Sequence, residues 1–138
     1  MVGGDIGWGA GGRGRRSTVA ERTADPGGNE GVLGWRQAAN RRGTWRLDGC
    51  TIAVTLGPCP MCAGAMVNAR LGRLIYGAGD PKAGAVDALY TIATDPRLNH
   101  QVQVIGGVFA EPCGKLLTEF FRGRRQANRE RNKRRRCA

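Results

Sequence analysis

At 138 residues, 41% of them apolar, the chain is long enough for one sheet-based core and too short for two. No apolar run approaches the roughly 20 residues of a membrane span, and the first 14 residues lack a charged start followed by an apolar core, so a cytoplasmic protein with no membrane partner is expected. The net charge of +11 is uneven: Arg122 to Arg136 holds nine basic residues and one acid, 9 − 1 = +8, which leaves +3 for everything else.

In chain order, residues 1–34 hold 11 glycines and no helix-length amphipathic pattern. Glycine is costly in both helices and strands, so residues 1–12 read as a loop or weak strand and 13–23 as a polar connection. Asp25-Pro26 looks like a helix start, with Asp25 as a candidate cap. The helix is predicted from about Asn29 to Arg41, with Val32, Leu33, Trp35 and Ala39 at rough 3–4 spacing and Gly43 as its end. Trp45 and Leu47 lead into a turn at Asp48-Gly49.

Thr51–Leu56 is short, β-branched and almost wholly apolar or Thr, the pattern of a strand buried on both faces of a parallel sheet. Gly57-Pro58 breaks it. A helix follows from Cys59 or Pro60 to Ala69, with Met61, Ala65, Met66 and Ala69 as its inner face; Pro60 is tolerated in the first turn, where its missing N–H has no partner anyway. A strand is predicted over 73–76, a loop over 77–84, a short helix over 85–94, a turn at Asp95-Pro96 and a strand over 101–105. The last helix starts near Glu111, carries Leu116, Leu117, Phe120 and Phe121 as an apolar stripe, and leads into the basic tail. Strands alternating with helices indicate an α/β layered sheet. Three segments are expected: an irregular Gly/Arg-rich 1–24, a folded domain over 25–126, and a basic tail over 127–138.

The cysteines are Cys50, Cys59, Cys62, Cys113 and Cys137, an odd number without the spacing of a disulfide framework. Cys59 and Cys62 stand where a strand hands over to a helix. A thiol–disulfide pair, half of a zinc site, and two unrelated buried cysteines all fit a bare Cys-x-x-Cys. Cys50 and Cys113 read as small buried hydrophobes and Cys137 as a tail thiol. Tyr76, Phe120 and Phe121 read as core. The basic run suits a phosphate-rich partner, and equally a solvated tail that aids solubility.

The flanks of the cysteine pair are far more specific. Ala53-Val54-Thr55-Leu56-Gly57-Pro58-Cys59-Pro60-Met61-Cys62-Ala63-Gly64-Ala65-Met66 closely resembles the second zinc motif of the bacterial tRNA adenosine deaminases, within the cytidine-deaminase-like superfamily. The likeness continues through Ala69–Ala78, Asp80–Ala85, Leu98-Asn99-His100, Gly106-Gly107-Val108, Cys113–Leu117 and Phe120–Arg125, and covers about residues 35–126. The resemblance implies a three-layer α/β/α cytidine-deaminase-like sandwich around a central mixed sheet, here with a truncated or irregular N-terminal part. It implies a homodimer that binds one Zn2+ per chain and converts adenosine to inosine at the wobble position of a tRNA anticodon stem-loop. Metal ligands would include Cys59 and Cys62; Asp80, Lys82, Asn99, His100, Arg122, Arg124 and Arg125 would meet RNA. A nucleoside or free-base deaminase is the neighbouring alternative, against which the flanks and the basic tail weigh.

The sequence departs from that family in one place that matters. The family takes its third ligand and its proton-transferring carboxylate from a His-x-Glu on the preceding helix, whereas the one histidine here is His100. Aligned on Asp25-Pro26 and Arg36–Ala39, the ligand position falls on Asn29 and the carboxylate position on Gly31; Glu30, the acid between them, is the candidate catalytic residue although it is one step off. The family's Glu before the Pro-Cys pair is Gly57. An inactive deaminase-fold protein that binds RNA or pairs with an active subunit is therefore the competing expectation.

Overall fold

The computed structural model describes residues 5–7, 25 and 30–136. Four parallel strands form one sheet in chain order: β1 (Asp5–Gly7), β2 (Thr51–Leu56), β3 (Arg73–Ala78) and β4 (Gln103–Ile105). Helix α1 (Glu30–Arg42) precedes β2, α2 (Pro60–Asn68) links β2 to β3, and α3 (Ala110–Arg136) follows β4. The three pairings among the described strands are all parallel, in keeping with the expected mixed or largely parallel sheet.

Strand alternation sorts the side chains into two layers. Ile52, Leu74 and Val104 stand side by side in register, as do Val54 and Tyr76. These five belong to the core, which α1 completes with Trp35 and Ala38 and α2 with Cys62, Ala63 and Met66. Leu47, Leu71 and Cys50 close its lower edge, each nearly inaccessible. The other face carries Thr55 and Gly77, and there α3 lies across the sheet with Cys113 against Gly77. This gives helix, sheet and helix layers, with the main core on the α1/α2 side. The expectation that Thr51–Leu56 is buried on both faces is corrected: Ile52 is buried, but Ala53 on the opposite face is exposed.

Several elements match the sequence reading closely. Helix α1 and strand β2 occupy their expected positions. Gly43 ends α1 and Gly49 makes the following turn, at φ +65° and +73°, where a side chain would be strained. The weak strand anticipated near the N-terminus is β1, which pairs with the edge of β2.

Four expectations are corrected. Residues 85–94 form turns with one short 3-10 segment, Ile92–Thr94, and no helix. Their backbone N–H groups are used elsewhere: Ala85 donates to the Pro58 carbonyl, Leu89 and Tyr90 to Gly84, and Ile92 to Ala85. Met61 is 43% exposed, and the inner face of α2 is Cys62, Ala63, Met66 and Val67. Phe120 and Phe121 are not core; about half of each is exposed, and they meet each other edge to face at 5.3 Å. Finally, residues 127–136 are not a separate tail. They continue α3, which runs unbroken for 27 residues; after Gly123 the sequence offers no Gly or Pro to stop it, and Arg, Gln and Lys favour helix. Cys137 lies outside the described residues.

Candidate active site

In a parallel α/β sheet, reactive groups collect beyond the carboxyl ends of the strands, where loops diverge and helix N-termini point. Here that edge is formed by the chain after Leu56, after Ala78 and after Ile105. Gly57 N–H donates to the Ala78 carbonyl at 2.8 Å, which turns the chain out of β2. Cys59 then takes the N-cap position of α2 with extended backbone (φ −72°, ψ 169°), and Pro60 opens the helix. Its carbonyl accepts the Ala63 N–H at 2.9 Å, so the backbone cap is made and its thiol is left available. Cys62, one turn on, is buried and faces the same edge.

The two thiols are close enough for Cys59 to act electrostatically on Cys62. Burial pushes the Cys62 thiol up to about 12, and the neighbouring sulfur of Cys59 pushes it the same way. No acidic residue occupies the first turn of α2. Two sulfurs near one another at a helix mouth could supply two donors to a soft metal.

The loop after β3 walls this edge. Asp80 folds it by accepting the Lys82 and Ala83 backbone N–H groups at 2.9 and 3.2 Å, while Gly84 N–H returns to the Asp80 carbonyl at 2.8 Å. Ala85 N–H to Pro58 carbonyl, 2.9 Å, ties that loop to the cysteine turn. The Asp80 backbone is thus close to the start of the cysteine turn, its nitrogen 3.5 Å from where a Cβ at Gly57 would stand, and Lys82 is exposed on the same loop. Asp80 acts first as a loop former, an Asx-turn role.

Asn99 and His100 are elsewhere. Asn99 Oδ1 accepts from the Arg70 guanidinium at 2.6 Å, and His100 Nε2–H donates to the Leu71 carbonyl at 2.7 Å. Arg70 and Leu71 lie past the C-terminal end of α2, at the amino ends of the strands. The length of α2, about 14 Å at 1.5 Å per residue, separates them from the cysteine pair. A role for His100 as a replacement ligand to Cys59 and Cys62 is thus excluded by position. Replacing His100 by Ala is expected to cost about 1 kcal/mol, because the Leu71 carbonyl loses its partner; a urea melt reads this directly.

Arg122 and Arg125 are exposed on α3, and Arg124 is partly covered. Asn29 lies outside the described residues. Glu30 and Gly31 are the first two residues of α1. Among the described residues, no group of three His, Cys, Asp or Glu side chains gathers around a point. The sequence reading left Asp87 unassigned. It accepts a hydrogen bond from the buried Tyr76 hydroxyl, and the signal was present, since a buried Tyr hydroxyl needs a partner.

Comparison with known proteins agrees with this geometry. Residues 6–125 match the MafB19-like deaminase family. The tRNA-specific adenosine deaminase of Bacillus subtilis is 49% identical over 86 residues, 62% of this chain and 53% of that protein. Those of Streptococcus pyogenes serotype M1 and Haemophilus influenzae are 45% and 39% identical over 95 and 103 residues, covering 69% and 75% of this chain and 56% and 60% of theirs. The chain thus spans little more than half the length of these relatives. A solved structure from work on A-to-I editing by tRNA:A34 deaminases at the wobble position of transfer RNA superposes with a TM-score of 0.66 at 33% identity, over 72% of each chain. That likeness establishes the α/β cytidine-deaminase-like fold. The family match spans most of the chain and the fold agrees with it: the chain belongs to the MafB19-like deaminase family.

Proposed function

We propose that this chain deaminates adenosine to inosine at the wobble position of a tRNA, in a zinc-dependent hydrolysis. The observation that carries the reading is the pair Cys59 and Cys62 at the carboxyl edge of the sheet, one capping α2 and the other one turn inside it. The donor set fits zinc as far as it goes. Two adjacent thiols suit a soft divalent cation, and the third donor of a three-ligand site falls to residue 29.

Zinc bound there would supply Lewis acidity that brings a water within reach of deprotonation near neutral pH. The rest is asked of the chain. A carboxylate at the start of α1, with Glu30 as the candidate, carries one of water's protons to the ring nitrogen and then the other to the departing amine. Water supplies the oxygen and ammonia leaves. The Asp80–Gly84 loop bounds the cleft, and Lys82 and the α3 arginines hold phosphates so that a flipped base reaches it. A homodimer and a cytoplasmic location complete the proposal.

A second reading rests on a specific residue. Gly31 stands where the family carries its carboxylate, and a glycine cannot move a proton. The protein would then bind RNA, or pair with an active subunit, without chemistry. The test is an anticodon stem-loop with adenosine at the wobble position, scored for inosine by mass spectrometry beside bound zinc. Inosine with zinc near one per chain, both lost in Cys59→Ser, supports the enzyme. Stem-loop binding without inosine supports the second reading. Activity on free nucleosides and not on RNA sinks both.

A further inference from the structure

Two non-glycine residues among those described have a left-handed backbone, Arg70 (φ 58°) and Phe109 (φ 54°). Arg70 follows the C-cap of α2, where that conformation commonly ends a helix, and its guanidinium bonds to the Val67 carbonyl and to Asn99. Phe109 has no such reason. Its carbonyl accepts the Cys113 N–H at 3.0 Å, which makes it the residue that starts α3. That position favours glycine or a short polar side chain. A phenylalanine has no acceptor for the free N–H groups of the first turn, and a bulky side chain is strained at positive φ. Burial gives little in return: Phe109 is 76% exposed, more than any other large apolar side chain described. Asparagine or glycine would be more stable here on both counts.

The strained residue is held in a fixed place. Gly106 lies so tightly on the Tyr76 ring that a Cβ there would overlap the hydroxyl, and Val108 N–H donates to the Tyr76 carbonyl at 3.1 Å. The Tyr76 hydroxyl in turn donates to Asp87, on the segment that Ala85 N–H ties to the Pro58 carbonyl. The chain leading to Phe109 and the cysteine turn therefore hang on one framework. Cys113 packs on Gly77 near the carboxyl end of β3, and Phe109 comes four residues earlier, about 6 Å back along α3. That puts Phe109 at the carboxyl edge of the sheet, the edge that carries Cys59 and the Asp80 loop.

A strained backbone that persists beside a cleft is a mark of function. A phenyl ring held out by rigid backbone offers a flat apolar face at small entropic cost. A nucleotide flipped out of its stack leaves its neighbours with an uncovered face, and an aromatic side chain can cover it. We infer that Phe109 is a stacking platform for an unpaired base adjacent to the target adenosine, and that it favours a purine there through the larger ring face. The inference rests on the reading of the chain as a tRNA deaminase and adds a specificity-determining residue to it.

The test is a mutant cycle between protein and RNA. Phe109→Asn, Phe109→Leu and Phe109→Trp are each titrated with an anticodon stem-loop and with two versions of it, abasic on the 5′ or the 3′ side of the wobble adenosine. Phe109→Asn should weaken binding to the intact stem-loop about tenfold and hardly change binding to one of the abasic forms. Phe109→Leu should behave like Phe109→Asn, and Phe109→Trp should keep the affinity. A purine at the stacked position should bind several-fold tighter than a pyrimidine, and Phe109→Asn should erase that difference. The urea midpoint of Phe109→Asn should hold or rise, since the substitution relieves the backbone and supplies a cap. Additive losses on both abasic forms, or none with any variant, overturn the platform. So does a lowered urea midpoint, which would make the ring a packing residue, or a dimer that Phe109→Asn splits in sedimentation, which would make it a contact between copies. Inosine formation is scored separately. If it is absent while the cycle couples Phe109 to one base, the deaminase reading alone falls; if it is present while the cycle is additive, the platform alone falls. Failure of the unaltered chain to bind the stem-loop overturns both.

Discussion

Asn29→His together with Gly31→Glu is expected to raise inosine formation by on the order of 10²–10⁴-fold and to bring bound zinc close to one per chain. Each half has its own reason. An amide is a poor third donor beside two sulfurs, whereas a neutral imidazole is a common zinc ligand. Asn29→His alone should therefore raise zinc retention and leave turnover low. Gly31→Glu supplies the group that carries a proton from water to the base, and without a firmly held metal it should do little. Positions 30 and 31 project about 100° apart at the start of α1, so a carboxylate at one cannot stand in for the other. The competing outcome is equally definite. If the double variant gains nothing while Glu30→Ala abolishes an existing activity, the active carboxylate is Glu30 and the register at the head of α1 is shifted by one.

That experiment bears on the part of the molecule least legible in the sequence. Strand β2 could be read because Thr51–Leu56 has one composition from end to end and Gly57-Pro58 stops it. The cysteine turn could be read because Pro at the first helical position and Cys just before it fix the backbone locally. Both depend on neighbours in sequence. The failures share the opposite cause. Residues 85–94 have helix-compatible composition, but their amides are claimed by Pro58 and Gly84, one of them 27 positions away. Phe120 and Phe121 have the spacing of a buried stripe, yet about half of each is exposed. His100, expected among the RNA-facing residues with Asp80 and Lys82, is placed by the sheet at the opposite edge from Cys59 and Cys62. The basic run is visible in the composition, but its continuation of one helix to Arg136 is not.

The same dependence on a distant contact makes Gly77 the position where a single side chain should do most damage. A Cβ at Gly77 would stand 2.8 Å from the Cβ of Cys113 and 2.9 Å from the Thr55 carbonyl oxygen, and closer still to the Cys113 sulfur. The sulfur belongs to α3 and can move if the helix lifts; the carbonyl belongs to β2 and cannot move without breaking the sheet. Gly77→Val is therefore expected to cost about 3 kcal/mol in a urea melt and to speed the reaction of Cys113 with a thiol reagent, since the easier relief is to raise α3 off the sheet. Cys113→Ala in the same chain should restore only part of the loss, with a coupling of about 1 kcal/mol, because it removes the sulfur and leaves the carbonyl in place. Full rescue would mean that the helix alone opposes the side chain. Unchanged stability with Cys113 still protected would mean that α3 does not dock on Gly77.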